Sequence, residues 1–288
     1  MAQRRKQKNR LPAALRWLLI GMMALGVAVL LGVLIYWRFF GANTEQVPKI
    51  ALNNYDASAF YEENGFLRYR GMTHMVGIDV SEHQTAVDWQ KVRDSGVEFV
   101  ILRLGYRGYT EGGLYPDETF PGYYDGAKAA GLKIGAYFFS QARTVNEARE
   151  EADYACQLVG ERELDLPLFF DWETVGGSER IPSPDGLPLT DSAVAFCKVV
   201  RRNGFDAGIY FNQSLGYRYF DLSKLQDYTL WLAEYGTAPE FHYHFDCLQY
   251  TDTGTVDGIE GGVDLDIFFL PETTSNLGVW TRKLLQKG

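Results

Sequence analysis

The sequence predicts an α/β protein: one apolar helix near the N-terminus, then a barrel of the (β/α)8 type whose last part has lost most of its helices. An uncharged run of 21 residues, WLLIGMMALGVAVLLGVLIYW from Trp17 to Trp37, precedes everything else. From about residue 75, short β-rich runs alternate with helical stretches, and four times a helix-ending glycine leads into an apolar run. After residue 211 that beat gives way to strand-like runs with short connections. A doubly wound open sheet is the competing architecture. Neither G-x-G-x-x-G nor a P-loop follows the first strand, so nucleotide binding has no support.

The apolar run comes first along the chain. At about 1.5 Å per residue it spans roughly 31 Å, enough to cross a hydrocarbon core. Ahead of it stand Arg4, Arg5, Lys6, Lys8, Arg10 and Arg16 with no acid, against Arg38 alone just beyond. That asymmetry predicts a basic cytoplasmic tail (1–16), a transmembrane helix (17–37) and an extracytoplasmic remainder. Trp17, Tyr36 and Trp37 are expected as interfacial anchors. A cleaved signal peptide is the alternative; it would have a shorter apolar core and a small-x-small cleavage site, and RFFGANTEQ offers none that convinces. The lipid bilayer is thus an expected partner through this helix.

Charge divides the chain the same way. Seven basic residues lie at or before position 40, so the rest carries 28 − 7 = 21 basic against all 37 acidic groups, a net of −16. Such a surface argues against nucleic acid or an anionic membrane face as its ligand. The three cysteines, Cys156, Cys197 and Cys247, form no disulfide framework and no C-x-x-C, and are expected as buried thiols.

Residues 38–74 are mixed and polar and read as a stalk. A folded domain is expected over 75–272, with a C-terminal tail at 273–288. Within the domain MVGIDVS is the first strand, DWQKVRDSG a helix ended by Gly96, and VEFVILRLG the second strand. PGYYDGAKAAG and LKIGAYFFS repeat the unit. Thr144 and Glu147 stand at capping-box spacing ahead of a helix that ends at Gly160. LPLFFDWE follows as the fourth strand. TDSAVAFCKVVRRNG, with Val194, Cys197 and Val200 on one face, leads into FDAGIYF. TLWLAEYG, HFDCLQYT and VDLDIFFL complete eight strands, with about five helices.

In such barrels the chemistry sits where the strands end. The fourth strand finishes with Asp171 and Glu173 one residue apart, which places both carboxylates on one face. The other strands bring Asp79, Tyr137, Tyr210, Trp231, Gln249 and Asp264 to the same mouth. Paired acids suit cleavage of a glycosidic bond, and aromatic rings suit the apolar faces of sugars. Each residue taken singly also has a plain structural reading, as a turn, cap or core side chain.

These pieces resemble the glycoside hydrolase family 25 lysozymes, the bacterial, phage and fungal muramidases. GIDVSEHQ, GVEFVILRLGYRG, AGLKIGAYFF, LPLFFDWE, GIYFN, LWLAEYG, LQYT and GVDLDIF occur in the family's order from about Val76 to Phe269. The resemblance implies a TIM-like flattened (β/α)5(β)3 barrel that cleaves the β-1,4 bond between N-acetylmuramic acid and N-acetylglucosamine in peptidoglycan glycan strands. It places the acids on Asp79, Asp171, Glu173 and Asp264 and the aromatic cleft positions on Tyr137, Tyr210 and Trp231; Gln249 and His83 are added here as candidate substrate contacts. Asp266 stands where the family commonly has Asn, and GYRGYTEGGLYPDETF is particular to this chain.

Glu173 is expected as the general acid, kept protonated by the nearby charges of Asp171, Asp79 and Asp264. Asp171 would orient the substrate's own acetamido group as nucleophile, the route the family resemblance implies; direct displacement by water, with inversion, is the open alternative, and the carboxyl separation bears on it. Neither cofactor nor metal is implied: His242 and His244 lack a third ligand motif. A tethered wall-binding module without catalysis would have no use for Asp171 and Glu173, and a glycosidase of different bond specificity is the other alternative. The run D-x-x-D-x-D-x-E of a chitinase-like barrel is absent.

Overall fold

The structure is a computed structural model and describes residues 12–40, 50–178 and 180–270. Two units divide at Lys49 and Ile50. The first is helix α1 (Ala13–Phe40), which continues past both expected ends of the apolar run. Its stretch Ala13–Tyr36 is long and apolar enough to cross a membrane, and none of it is buried. Leucine, valine and alanine keep such a helix intact where its backbone hydrogen bonds have no competitor. The basic residues before Pro12, the side chain of Trp37 and the tail from residue 271 lie outside the described residues.

The second unit is built on a nine-stranded sheet that closes on itself. Its strands are β3 (His74–Val80), β4 (Phe99–Arg107), β5 (Leu114–Pro116), β6 (Lys133–Ser140), β7 (Leu168–Trp172), β8 (Ala207–Asn212), β9 (Thr229–Ala233), β10 (Cys247–Gly254) and β11 (Val263–Phe269), after a small hairpin of β1 (Phe60–Glu63) and β2 (Phe66–Tyr69). The order β3-β11-β10-β9-β8-β7-β6-β4 is sealed by a β3–β4 pairing, so eight strands form the barrel and β5 hangs on β4 as a hairpin. All eight expected strands are present. The barrel also carries α2 (Trp89–Asp94), α3 (Phe120–Ala129), α4 (Val145–Val159), α5 (Leu189–Arg202) and the short α6 (Gln213–Arg218).

The glycines expected to end helices do so. Gly96, Gly131, Gly160 and Gly204 have φ of 107°, 76°, 61° and 90°, a region that costs an L-residue its Cβ clearance. Thr144 caps α4 by accepting from the Glu147 N–H at 3.2 Å. The capping box is incomplete, because Glu147 takes the Arg143 N–H at 2.7 Å and pairs with Arg180 instead.

Period-two alternation sorts every strand into an outer and an inner face. Val76, Ile78, Val100, Leu102, Phe138, Phe170 and Ile209 face the helices in one apolar cluster. Met75, Phe99, Ile101, Tyr137, Phe169, Tyr210, Trp231, Cys247 and Phe268 fill the barrel's inside. Glycines make room for that filling: a Cβ at Gly208 would stand 2.3 Å from the Phe169 ring.

Two expectations are corrected. The last strand does not bring Asp264 to the mouth by its end, as the general rule for such barrels would have it. β11 runs antiparallel to both neighbours, so its beginning reaches the mouth. Nor is the whole of 38–74 a stalk, since Ile50 opens the folded unit. Phe66 and Leu67 are buried, and the Tyr55 ring lies 4.2 Å from Phe269 and 4.9 Å from Phe245. Asn53 and His244 exchange backbone bonds with His242 and Ala51. The aromatics of this polar-looking segment cover the outer face of the sheet at β11, packing on Phe245 and Phe269 of the outer cluster. All three cysteines are buried free thiols.

Candidate active site

The inner alternation that buries Phe169 points the next two inward positions, Asp171 and Glu173, at the mouth. Asp171 is 4% exposed on β7, and Glu173 is partly buried just past the strand's end. Register places Asp171 beside Phe139 on one side and Tyr210 on the other. Across the barrel Asp264 lies directly opposite Asp79, and Asp266 opposite Gly77. The four expected acids are thus gathered on one rim.

Their hydrogen bonds form two groups. In the first, Gln249 Nε2 donates to Asp79 Oδ2 at 2.8 Å. The Tyr210 and Tyr235 hydroxyls donate to Gln249 Oε1 at 3.0 and 3.3 Å. Trp231 Nε1 donates to Asp266 Oδ1 at 2.9 Å, and Asp266 touches Asp79. In the second, Asp171 and Glu173 contact each other. Asp171 Oδ1 is buried without a partner. The backbone oxygen of Glu173 accepts from Gln141 Nε2 at 2.8 Å; Arg180 in turn holds the Gln141 carbonyl and pairs with Glu147.

Burial is the first cause of every acid's shift here. It pushes Asp79 well above the carboxylate range, helped by Asp264 and Asp266 and opposed by the Gln249 bond. Asp266 rises for the same reason and through Asp264. Asp264 is pushed up to about 6 by burial and Asp252. Asp171 rises through burial and Glu173, with Arg103 pulling against it. Glu173 rises through burial and Asp264, while its contact with Asp171 lowers it. This corrects the expected cause: burial comes first for Glu173 and the Asp264 charge second, where the charges of Asp171, Asp79 and Asp264 were expected.

The other expected contacts divide. Tyr137, Tyr210 and Gln249 line the mouth. Trp231 does not: at 1% exposure it packs 5.1 Å from Phe169 and 4.7 Å from Tyr210, forming a floor that holds Asp266. A ring sealed on both sides cannot stack on a sugar. His83 is exposed at the rim, its Nε2 3.4 Å from the Arg103 guanidinium. Glu234, at the end of β9, turns away to accept the Glu240 and Phe241 N–H groups.

Arg103, Tyr235 and the partnership of Asp266 with Asp79 escape sequence reading. Arg103 is buried on β4 and pairs with Asp117 and Glu82, each at 2.8 Å. An arginine inside the apolar run VILRLG was the available signal. Away from the mouth His244 pairs with Asp246 at 3.2 Å, and no group of three or more His, Cys, Asp or Glu suited to a metal occurs among the described residues.

A stability profile follows from these directions. Each raised carboxyl binds its proton more tightly folded than unfolded. The stability it contributes is complete below the unfolded pKa and is lost as pH rises through the folded one. For Glu151, buried and raised from 4.5 to about 7, and Asp264, raised to about 6, the loss falls between roughly pH 4 and 7. Asp56, Glu147 and Asp221 are held low and oppose the trend, but they are exposed or half-buried. The melting temperature is expected to drop between about pH 4 and pH 7, with Glu151 alone worth on the order of 3 kcal/mol. Calorimetry across that range checks it; a profile that climbs with pH contradicts it.

The chain is similar to several known proteins. A family profile, Glycosyl hydrolases family 25, matches residues 78–259, a span that includes Asp79, Asp171, Glu173 and Gln249 and stops before Asp264. The autolytic lysozyme of Clostridium acetobutylicum is 35% identical over 195 residues, covering 67% of this chain and 56% of its own. Lysozyme M1 of Streptomyces globisporus is 28% identical over 211 residues, 67% of each chain. The autolysin LytC of Streptococcus pneumoniae, solved with a synthetic peptidoglycan ligand, has a TM-score of 0.62 at 24% identity over 76% of this chain and 52% of that one. A lysozyme from Streptomyces coelicolor gives 0.54 at 25% identity, over 68% and 92%. The chain spans little more than half the length of the clostridial lysozyme and of LytC.

Proposed function

The chain belongs to the glycosyl hydrolases family 25, and we propose that it is a peptidoglycan hydrolase that cuts the β-1,4 bond between N-acetylmuramic acid and N-acetylglucosamine. The carrying observation is the carboxyl pair at the end of β7. Asp171 and Glu173 touch, both are raised above the usual carboxylate range by burial first, and they face a rim that also holds Asp79 and Asp264. The relatives named lysozymes support the substrate class.

Glu173 protonates the leaving oxygen. The two carboxyls are in contact, closer than the roughly 5 Å that separates an acid from a carboxylate nucleophile across a sugar. That favours the substrate's 2-acetamido oxygen as nucleophile, with Asp171 accepting the acetamido N–H on its unpartnered Oδ1. A donor arriving at Asp171 favours its ionised form. The proton is then held by Glu173, so the general acid is armed by the sugar it will cleave. Water opens the resulting oxazolinium ion with Glu173 as base, and the anomeric configuration is retained. Asp79, Asp264, Tyr137, Tyr210 and Gln249 line and polarise the site, and His83 sits at its rim. Peptidoglycan strands are the partner.

Helix α1 is proposed as a single-pass anchor, with residues 1–16 cytoplasmic and the barrel outside the membrane; the basic residues ahead of it are the support.

Digestion of purified peptidoglycan by the full chain, followed by mass spectrometry of reducing ends, tests the bond. Muramic acid ends are expected. Glucosamine ends would mean a glucosaminidase, and intact glycan would remove the hydrolase reading altogether.

A further inference from the structure

The β4–β5 hairpin stands on the rim beside the acids, and its aromatics take no part in the chemistry described so far. Along β4 the inward positions are Phe99, Ile101 and Arg103. A register shift between Arg103 and Gly105 then inserts one residue, so that Tyr106 pairs with Phe139, the inner neighbour of Asp171. Bulges of this kind re-aim a side chain next to a site. Tyr106, Phe139 and Asp171 thereby form one row across three adjacent strands, and Tyr115 extends it by a fourth as the direct partner of Tyr106 on β5. At about 4.8 Å per strand, Tyr106 lies roughly 10 Å from Asp171 and Tyr115 roughly 14 Å.

The pair is held rigid. The two tyrosine rings lie 5.5 Å apart at 30°, and the Arg103 guanidinium sits 5.3 Å from the Tyr106 ring. Tyr115 also lies against hairpin backbone that only glycine leaves open: a Cβ at Gly108 would be 3.1 Å from its Cε2, and one at Gly113 2.8 Å from its Oη. Arg107 Nη1 donates to Gly112 O at 2.7 Å, and Ser178, on the loop that follows Glu173, donates to Tyr109 O at 3.0 Å. The hairpin is therefore tied to the catalytic loop. Yet Tyr115 remains 41% exposed, a large ring fixed in place with open surface.

We propose that this hairpin is a binding subsite for a pyranose ring of the glycan strand, beyond the two sugars that flank the cleaved bond, with Tyr115 as the stacking face and Tyr106 as its support. The proposal rests on the reading of the chain as a peptidoglycan glycosidase. A strand with one linkage at Glu173 runs out along the row and meets Tyr115 with a later ring. Pre-ordered aromatics bind without losing rotamer freedom, the condition under which stacking yields most affinity.

The test uses the full chain in detergent carrying Glu173→Gln, titrated by calorimetry with peptide-free tetrasaccharide and octasaccharide of alternating N-acetylglucosamine and N-acetylmuramic acid. The octasaccharide is expected to bind about tenfold more tightly than the tetrasaccharide. Adding Tyr115→Ala should abolish that advantage and leave tetrasaccharide binding unchanged, while Tyr115→Phe keeps it. Tyr115→Leu retains apolar packing on Gly108 and Gly113 without a π-face, and should behave like Tyr115→Ala even if the alanine variant folds poorly. Equal octasaccharide affinity with and without Tyr115, no gain from the longer ligand, or no binding at all would each overturn the subsite. Incubating the wild-type chain with octasaccharide separates the two readings. Tyr115-dependent affinity without cleavage would remove the hydrolase and keep the subsite; cleavage with indifference to Tyr115 would do the reverse.

Discussion

Glu173→Gln is expected to lower peptidoglycan hydrolysis by about three orders of magnitude, the scale of losing a positioned general acid. The amide has the carboxyl's shape but no proton acidic enough for a leaving alkoxide. Its fold should survive. Glu173 is only partly buried, its side chain lies past the end of β7, and Gln141 holds its backbone oxygen rather than its carboxyl. Because burial raises the Glu173 pKa, the ionised carboxyl is a burden on the folded state at neutral pH, and the amide lifts it. The melting temperature should therefore stay level or rise slightly while reducing-end release disappears. Activity within tenfold of wild type would transfer the acid role to Asp171, whose carboxyl touches Glu173.

The second large effect concerns stability, and it lies behind the site. Arg107 and Glu151 form an ion pair at 2.7 Å with side-chain exposures of 6% and 0%. Arg107 also donates to Gly112 O and Glu147 O, and Glu151 Oε2 accepts from Ser140 Oγ at 2.5 Å. One guanidinium thus ties β4, the hairpin and the first turn of α4 together. Arg107→Met keeps most of the stem's volume and removes every donor, leaving a buried carboxyl and two carbonyls unmatched. Breaking such a pair from one side costs about 3–5 kcal/mol. Urea unfolding monitored by circular dichroism should show that loss at neutral pH and above, and a smaller one at about pH 5, where Glu151 is protonated with or without Arg107. A loss below about 1 kcal/mol at neutral pH would mean that the pair is not a structural tie.

Much of this architecture can be read from the letters. Apolar runs such as VILRLG and LFFDW are strands because both of their faces are buried, and a glycine that ends a helix marks where the next strand begins. Inner and outer faces follow from parity, which is why Asp171 and Glu173 can be aimed at one mouth without coordinates. Depth cannot be read that way. Trp231 has the same parity as Tyr210 and Asp171 but lies lower, among Phe169 and Tyr210, so a residue expected to meet sugar is a floor instead. Direction is equally silent. VDLDIFFL fits a parallel or an antiparallel strand, and only closure against β3 and β10 decides it. Tyr55, Phe60 and Tyr69 sit in polar surroundings and reveal nothing until their distant partner Phe269 is in place.

The buried thiols have a consequence of their own. Cys156, Cys197 and Cys247 are spread over α4, α5 and β10, with no covalent bridge among them, so a reducing agent has nothing to cut. Burial pushes Cys156 up to about 12 and Cys197 and Cys247 higher still, and the protonated sulfur is a poor nucleophile. Alkylating reagents can therefore reach the fully buried sulfurs of Cys197 and Cys247 only in molecules that have opened. The speed of their labelling serves as a built-in stopwatch for how often the barrel comes apart.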